Sequence, residues 1–186
     1  MRIGFAVCGS FCTFEQAFSA MEQLANLHDL TPIFSNAAYD TDTRFGTAAT
    51  SIERAKAICG KDVIHTVAQA EPIGPKKLLD ALVIAPCTGN TMAKLAHSIA
   101  DNPVTMAAKS HLRNGRPIIV ALSTNDALAG AAENIGKLLG RKHYYFVPFG
   151  QDDPQKKPTS MIADYDKLAA TLDAALDGRQ IQPILL

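Results

Sequence analysis

Four short segments carry side chains suited to holding a charged ligand: Gly9-Ser10-Phe11, Ser35-Asn36, Thr88-Gly89-Asn90-Thr91 and Ser123-Thr124-Asn125. Each offers small hydroxyl or amide groups, and three of them directly precede a stretch with helical patterning. The amino end of a helix presents unpaired N–H groups and a partial positive charge, so such loops suit phosphate. The same residue types cap ordinary helices, which is the plainer reading of any one loop taken alone. Four of them at one sheet edge favour a phosphorylated ligand.

Two familiar phosphate sites are excluded. A dinucleotide fingerprint needs Gly-x-Gly-x-x-Gly after the first strand, and Cys8-Gly-Ser-Phe-Cys-Thr13 contains one glycine. A Walker A loop needs Gly-Lys-Ser/Thr, which does not occur. The pattern predicts a mononucleotide held by hydroxyls and amides, and FMN fits it better than NAD or ATP. Metal is not expected. Cys8 and Cys12 have no second Cys/His pair at ligand spacing, and the five histidines are scattered. The four cysteines (with Cys59 and Cys87) read as small reduced thiols of a cytoplasmic chain.

A chain of 186 residues is predicted to form a single domain over 1–186. Apolar residues make up 47% and charged residues 19%, which leaves no room for long disordered or collagen-like tracts. Eighteen Lys+Arg balance eighteen Asp+Glu, so no bulk positive charge recommends nucleic acid or a membrane surface as partner. The longest apolar runs, 81–85 and 117–122, are far shorter than the roughly 20 residues of a membrane span.

The elements that must position the four loops alternate in type. Apolar runs at 2–8, 30–34, 63–67, 81–85, 117–122 and 144–147 predict strands, several of them apolar on both faces. Helices are expected from a Thr13/Gln16 capping box to Leu27, over 48–59 with Gly60 ending it, from Met92, over 105–112, from 123–126 to Gly140, and over 161–176. Segments 40–46 and 148–158 read as loops. The alternation predicts an α/β fold, a doubly wound parallel sheet in a Rossmann-like three-layer sandwich. In such sheets ligands sit at the carboxyl ends of the strands, where all four loops fall.

Ala85-Pro-Cys-Thr-Gly-Asn-Thr-Met-Ala-Lys94, followed by Ile99-Ala-Asp-Asn102, resembles the signature of the FMN-binding flavoprotein superfamily, which includes phosphopantothenoylcysteine and peptidyl-cysteine decarboxylases and prenyl-FMN synthases. Longer strings resemble the B subunits of dipicolinate synthase within it. They are Thr43-Arg-Phe-Gly46, Ala70-Glu-Pro-Ile-Gly-Pro-Lys76, Ser123-Thr-Asn-Asp-Ala-Leu128, Pro148-Phe-Gly-Gln-Asp-Asp-Pro-Gln-Lys-Lys-Pro-Thr-Ser-Met161 and Gln180-Ile-Gln-Pro-Ile-Leu185. The resemblance implies a flavoprotein-like fold, FMN in the four loops, and a homo-oligomer (trimer or dodecamer). It implies oxidation of dihydrodipicolinate to pyridine-2,6-dicarboxylate during sporulation, in the mother-cell cytoplasm, with an A subunit holding NAD(P).

A dicarboxylate substrate needs cations, ideally arginine for bidentate geometry. Arg44, Lys156 and Lys157 fall on the ligand edge and are the candidates, against the plainer reading of solvated surface charges. No residue announces itself as the proton acceptor. The decarboxylase pattern is incomplete, since 35–46 contains no histidine and no cysteine follows Cys87. A stand-alone FMN decarboxylase and a non-catalytic partner remain the alternatives.

Overall fold

A computed structural model describes residues 1–186. Its centre is a parallel sheet of β1 (Arg2–Val7), β2 (Asp29–Phe34), β3 (Ala81–Cys87), β4 (Ile118–Thr124) and β5 (Tyr144–Phe146). The order across the sheet is β2-β1-β3-β4, with β5 on the far side of β4. The chain starts in the middle and winds outward both ways, so the switch point falls between β1 and β3.

Every residue of β3 is buried, as are Ile3–Val7 of β1 and Ile118–Ser123 of β4. The runs are apolar on both faces because helices cover both. On one face α1 (Phe14–Ala25) contacts α3 (Ala48–Cys59) and α8 (Leu168–Leu176). On the other, α6 (Pro103–Leu112) contacts α4 (Val67–Ala70) and α5 (Gly89–Ala96), and α5 contacts α7 (Ala132–Leu139). One contiguous core of 48 residues results, and truncating a member such as Ile84 to alanine would cost about 2–5 kcal/mol.

The sequence reading holds for these five strands and for α3, which ends where Gly60 adopts a left-handed φ of 64°. It fails at five places, each for a local reason. Residues 63–67 form no strand: Ile64 makes one bridge to Ile33, then a Thr66/Gln69 capping box turns the chain into α4. The Thr13/Gln16 box does not form, because the Thr13 hydroxyl donates to the Ser10 carbonyl instead of capping α1. A five-residue helix α2 (Asn36–Asp40) forms where the sequence predicts none; Ser35 caps it. Strand β4 runs on to Thr124, and turns closed by the Asp126 carbonyl delay α7 to Ala132. Finally, 161–163 is not helical but strand β7, antiparallel to β4 and paired with β6 (Phe149–Gly150). The five-stranded sheet is thus extended by an antiparallel ribbon.

Candidate functional site

The loops after β1, β3 and β4 meet at the carboxyl end of the sheet, on either side of the switch point. Their hydroxyls are used in two different ways. Ser35 accepts from the N–H of Ala38 at 3.3 Å, and Thr88 accepts from the N–H of Thr91 at 3.2 Å. Both cap the helix that follows, as the plain reading requires. Ser10 and Ser123 cap nothing: their oxygens lie 2.8 Å apart, bridging the ends of β1 and β4. That pair is positioned from below by Thr13, whose N–H and hydroxyl both donate to the Ser10 carbonyl.

A cavity of about 760 Å³ opens over this pair. Gly9, Ser10, Phe11, Thr88, Gly89, Asn90, Ser123 and Asn125 line it, as do Arg44 and Lys157. Ser35 and Thr91 belong to an adjoining cavity of about 540 Å³, which shares Gly9, Thr88 and Asn90 with the first. The ten residues expected around a cofactor therefore fall along one continuous groove.

Of the three cations expected to meet substrate, two line the larger cavity. Arg44 sits in a closed turn, with reciprocal Thr43–Gly46 backbone bonds of 3.0 and 3.1 Å, and its guanidinium lies 4.9 Å from the Phe45 ring centroid. Lys157 reaches in from the loop after β6 but is bound to Asp152 at 2.9 Å, which raises its pKa. Lys156 lines neither cavity. Its backbone N–H donates to Asp153, and the side chain is exposed, as the plain reading has it.

Several groups at the site lie outside the expected cofactor and substrate residues. Asp126 and Asp152 both line the larger cavity, with Thr124, Ser160, Met161 and Ile162. Lys94 and Asp101 line the smaller one and bind each other at 2.8 Å, an interaction that holds the Asp101 carboxyl below the usual range. His65 is carried by the Ile64 bridge to α2, where it stacks on Tyr39 with ring centroids 4.0 Å apart, though it lines neither cavity. Cys8 and Cys87, at the ends of adjacent strands, are fully enclosed. Burial pushes the Cys8 thiol up to about 11, so both stay protonated at neutral pH. No three His, Cys, Asp or Glu side chains converge to hold a metal ion. No helix is long and apolar enough to cross a membrane.

The arrangement suits a phosphorylated ligand beneath a rim of one arginine, one lysine and two carboxylates. Comparison with known proteins shows the family. A family model described as Flavoprotein matches residues 1–171. The B subunit of dipicolinate synthase from Bacillus subtilis (strain 168) is 46% identical over 186 residues, covering 100% of this chain and 93% of that one. The crystal structure of the corresponding B subunit from Bacillus halodurans C superposes with a TM-score of 0.91 at 44% identity, over 100% of this chain and 95% of the other. The FMN-dependent cysteine decarboxylase SpaF shares the fold alone, with a TM-score of 0.70 at 20% identity over 94% and 97% of the two chains. The chain belongs to the Flavoprotein family, among the B subunits of dipicolinate synthase.

Proposed function

We propose that this chain oxidises dihydrodipicolinate to dipicolinate (pyridine-2,6-dicarboxylate) as one half of a two-component enzyme, with NAD(P) held by an A subunit. The observation that carries the reading is the 46% identity over the whole chain to the dipicolinate synthase B subunit. The cavity supports it chemically. Arg44, exposed and free of any carboxylate partner within the chain, lines the larger cavity, where a substrate carboxylate could reach it. Lys157 stands ready as a second cation, at the cost of its contact with Asp152. Aromatisation favours the product, so the protein's task is to position the ring and remove one proton.

FMN fits the groove by a structural criterion. The Ser10–Ser123 hydroxyl pair caps no helix and lines the cavity, where it could turn to a phosphate. Gly9, Ser10, Phe11, Thr88, Gly89, Asn90, Ser123 and Asn125, with Ser35 and Thr91 in the adjoining cavity, would hold it. When bound, FMN would supply a two-electron carrier able to pass reducing equivalents on to the nicotinamide of the A subunit. Ser10 and Ser123 would turn their hydroxyls to its phosphate, the loop backbone would fix its orientation, and Arg44 would anchor a substrate carboxylate at the open rim. The chain works in the mother cell of a sporulating bacterium and assembles as a homo-oligomer, a trimer or dodecamer, in addition to meeting the A subunit.

The test supplies purified chain and A subunit with dihydrodipicolinate and NADP. Dipicolinate forms in the mixture and is identified by mass. A mixture that yields none, or a chain that instead releases carbon dioxide from a cysteinyl peptide, overturns the reading.

A further inference from the structure

The oxidation releases one proton, and two carboxylates line the cavity where it would be released. Four charged side chains face the larger cavity: Arg44, Asp126, Asp152 and Lys157. The first and last are cations, already protonated. Asp152 is engaged, its Oδ2 accepting from Lys157 Nζ at 2.9 Å, which favours the anion and lowers its appetite for a proton. Asp126 has no cation within ion-pairing distance. Its one side-chain hydrogen bond is accepted at Oδ1 from the Thr124 hydroxyl, at 2.5 Å. Oδ2 is uncommitted.

The carboxylate is also held in place. The Asp126 carbonyl accepts from the N–H groups of Ala129 and Ala131 at 2.9 and 3.1 Å, which winds the following turn tightly around it. Thr124, which orients Oδ1, is itself clamped in β4 opposite Met161. The whole unit leans against the first residue of α5. A Cβ on Gly89 would stand 2.8 Å from both Asp126 Oδ1 and the Thr124 hydroxyl, so only glycine admits this approach. A fixed carboxylate on a cavity-lining residue, with one oxygen bound and the other without a hydrogen-bond partner, is arranged for proton transfer rather than for an ion pair.

We propose that Asp126 is the proton acceptor of the dehydrogenation. The assignment rests on the oxidation proposed above. The electron pair of one ring C–H bond leaves as hydride to the oxidised nicotinamide of the A subunit, which becomes reduced. The neighbouring C–H bond breaks the other way: its electron pair closes the last double bond of the aromatic ring, and its proton forms an O–H bond at Asp126 Oδ2. Loss of that proton to water restores the carboxylate. Two electrons and two hydrogens leave the substrate, and both are accounted for.

The experiment uses the chain mixed with its A subunit and the variant Asp126→Asn, which keeps the shape and the hydrogen bond from Thr124. The variant's kcat falls about 10²- to 10⁴-fold with KM changed less than about threefold, the range of a lost general base. The chain alone, titrated with FMN by fluorescence, gives a readout without turnover: Asp126→Asn binds FMN at least as tightly as the parent, since one negative charge has left the cavity. A variant as fast as the parent overturns the assignment alone. A slow variant that has also lost FMN affinity overturns it too, in favour of a structural role. No oxidation by the parent mixture overturns the dehydrogenase reading, and the assignment with it.

Discussion

Replacing Ser10 with aspartate tests the placement of the phosphate at the base of the groove. The Ser10 and Ser123 oxygens are 2.8 Å apart, so a phosphate oxygen that accepts from both lies about 3 Å from each. An aspartate carboxylate at position 10 would then stand about 4 Å from a group carrying roughly −1.5 to −2 charges. Two unit charges at that separation repel by about 4 kcal/mol at the effective dielectric of a partly solvated site. With screening in an open cavity taking about half of this, Ser10→Asp weakens FMN at least about 30-fold, and up to about 1,000-fold without it. Ser10→Ala removes only a hydrogen bond to an anion, about 1.5–3 kcal/mol. The assay is fluorescence titration of the chain with FMN and with riboflavin, which lacks the phosphate. Ser10→Asp weakens FMN and leaves riboflavin close to the parent value. Unchanged FMN affinity, or equal losses for the two flavins, refutes the placement.

Arg44→Ala removes the candidate anchor for a substrate carboxylate, and a charge-assisted pair worth roughly 1.5–3 kcal/mol translates to about a 10- to 150-fold loss of kcat/KM in the mixed enzyme; an unchanged value would make Arg44 a surface residue. Gly89→Ala drives a methyl group against Asp126 and Thr124, at 2.8 Å from each, and costs about 1–3 kcal/mol, seen as a Tm lower by several degrees. His111 links stability to pH. It is fully buried, its Nε2–H donating to the Pro117 carbonyl at 3.1 Å and its Nδ1 without a partner, and burial depresses its pKa from 6.5 to about 4. Between those values the unfolded chain binds a proton that the folded chain refuses, so stability falls as pH drops from 6.5 toward 4, by about 3 kcal/mol in all. Unfolding free energies from urea titrations at pH 7 and 4.5 should differ by about 2 kcal/mol less in His111→Gln than in the parent, and identical differences would contradict the assignment.

How much of this was written in the sequence depends on whether a signal is local. Strands β1, β3 and β4 were legible because burial on both faces demands unbroken apolar runs, such as Ala81–Ala85. Helix α3 was legible to the residue at its end because Gly60 can take the left-handed conformation that stops it. The Thr13/Gln16 capping box was a local signal overruled by a stronger one, the Thr13 hydroxyl turned toward Ser10. Strands β6 and β7 are two and three residues long and exist only through the ribbon that β7 joins to β4, which no local pattern announces.

The site divides in the same way. Composition picked out loops that the fold brings to one groove, since phosphate cradles and helix caps draw on the same residues. It could not tell Ser10 and Ser123, which face each other across the switch point, from Ser35 and Thr88, which cap their own helices. Nor could it separate Lys157, which lines the cavity, from Lys156, which does not. Asp126 looked like one more helix opener in Ser-Thr-Asn-Asp. What distinguishes it is the cation it lacks, and a missing partner is visible only in three dimensions.

If this chain completes a catalytic site shared with a second protein, its effect on the rate must saturate. The most direct measurement is the rate of dipicolinate formation while the chain is titrated into a fixed amount of the A subunit, with dihydrodipicolinate and NADP in excess. The rate should rise from near zero and reach a plateau at a fixed stoichiometric ratio, with the chain alone inactive at every concentration. A plateau rate without any of this chain present, or full NADP-dependent turnover by the isolated chain, would contradict the account.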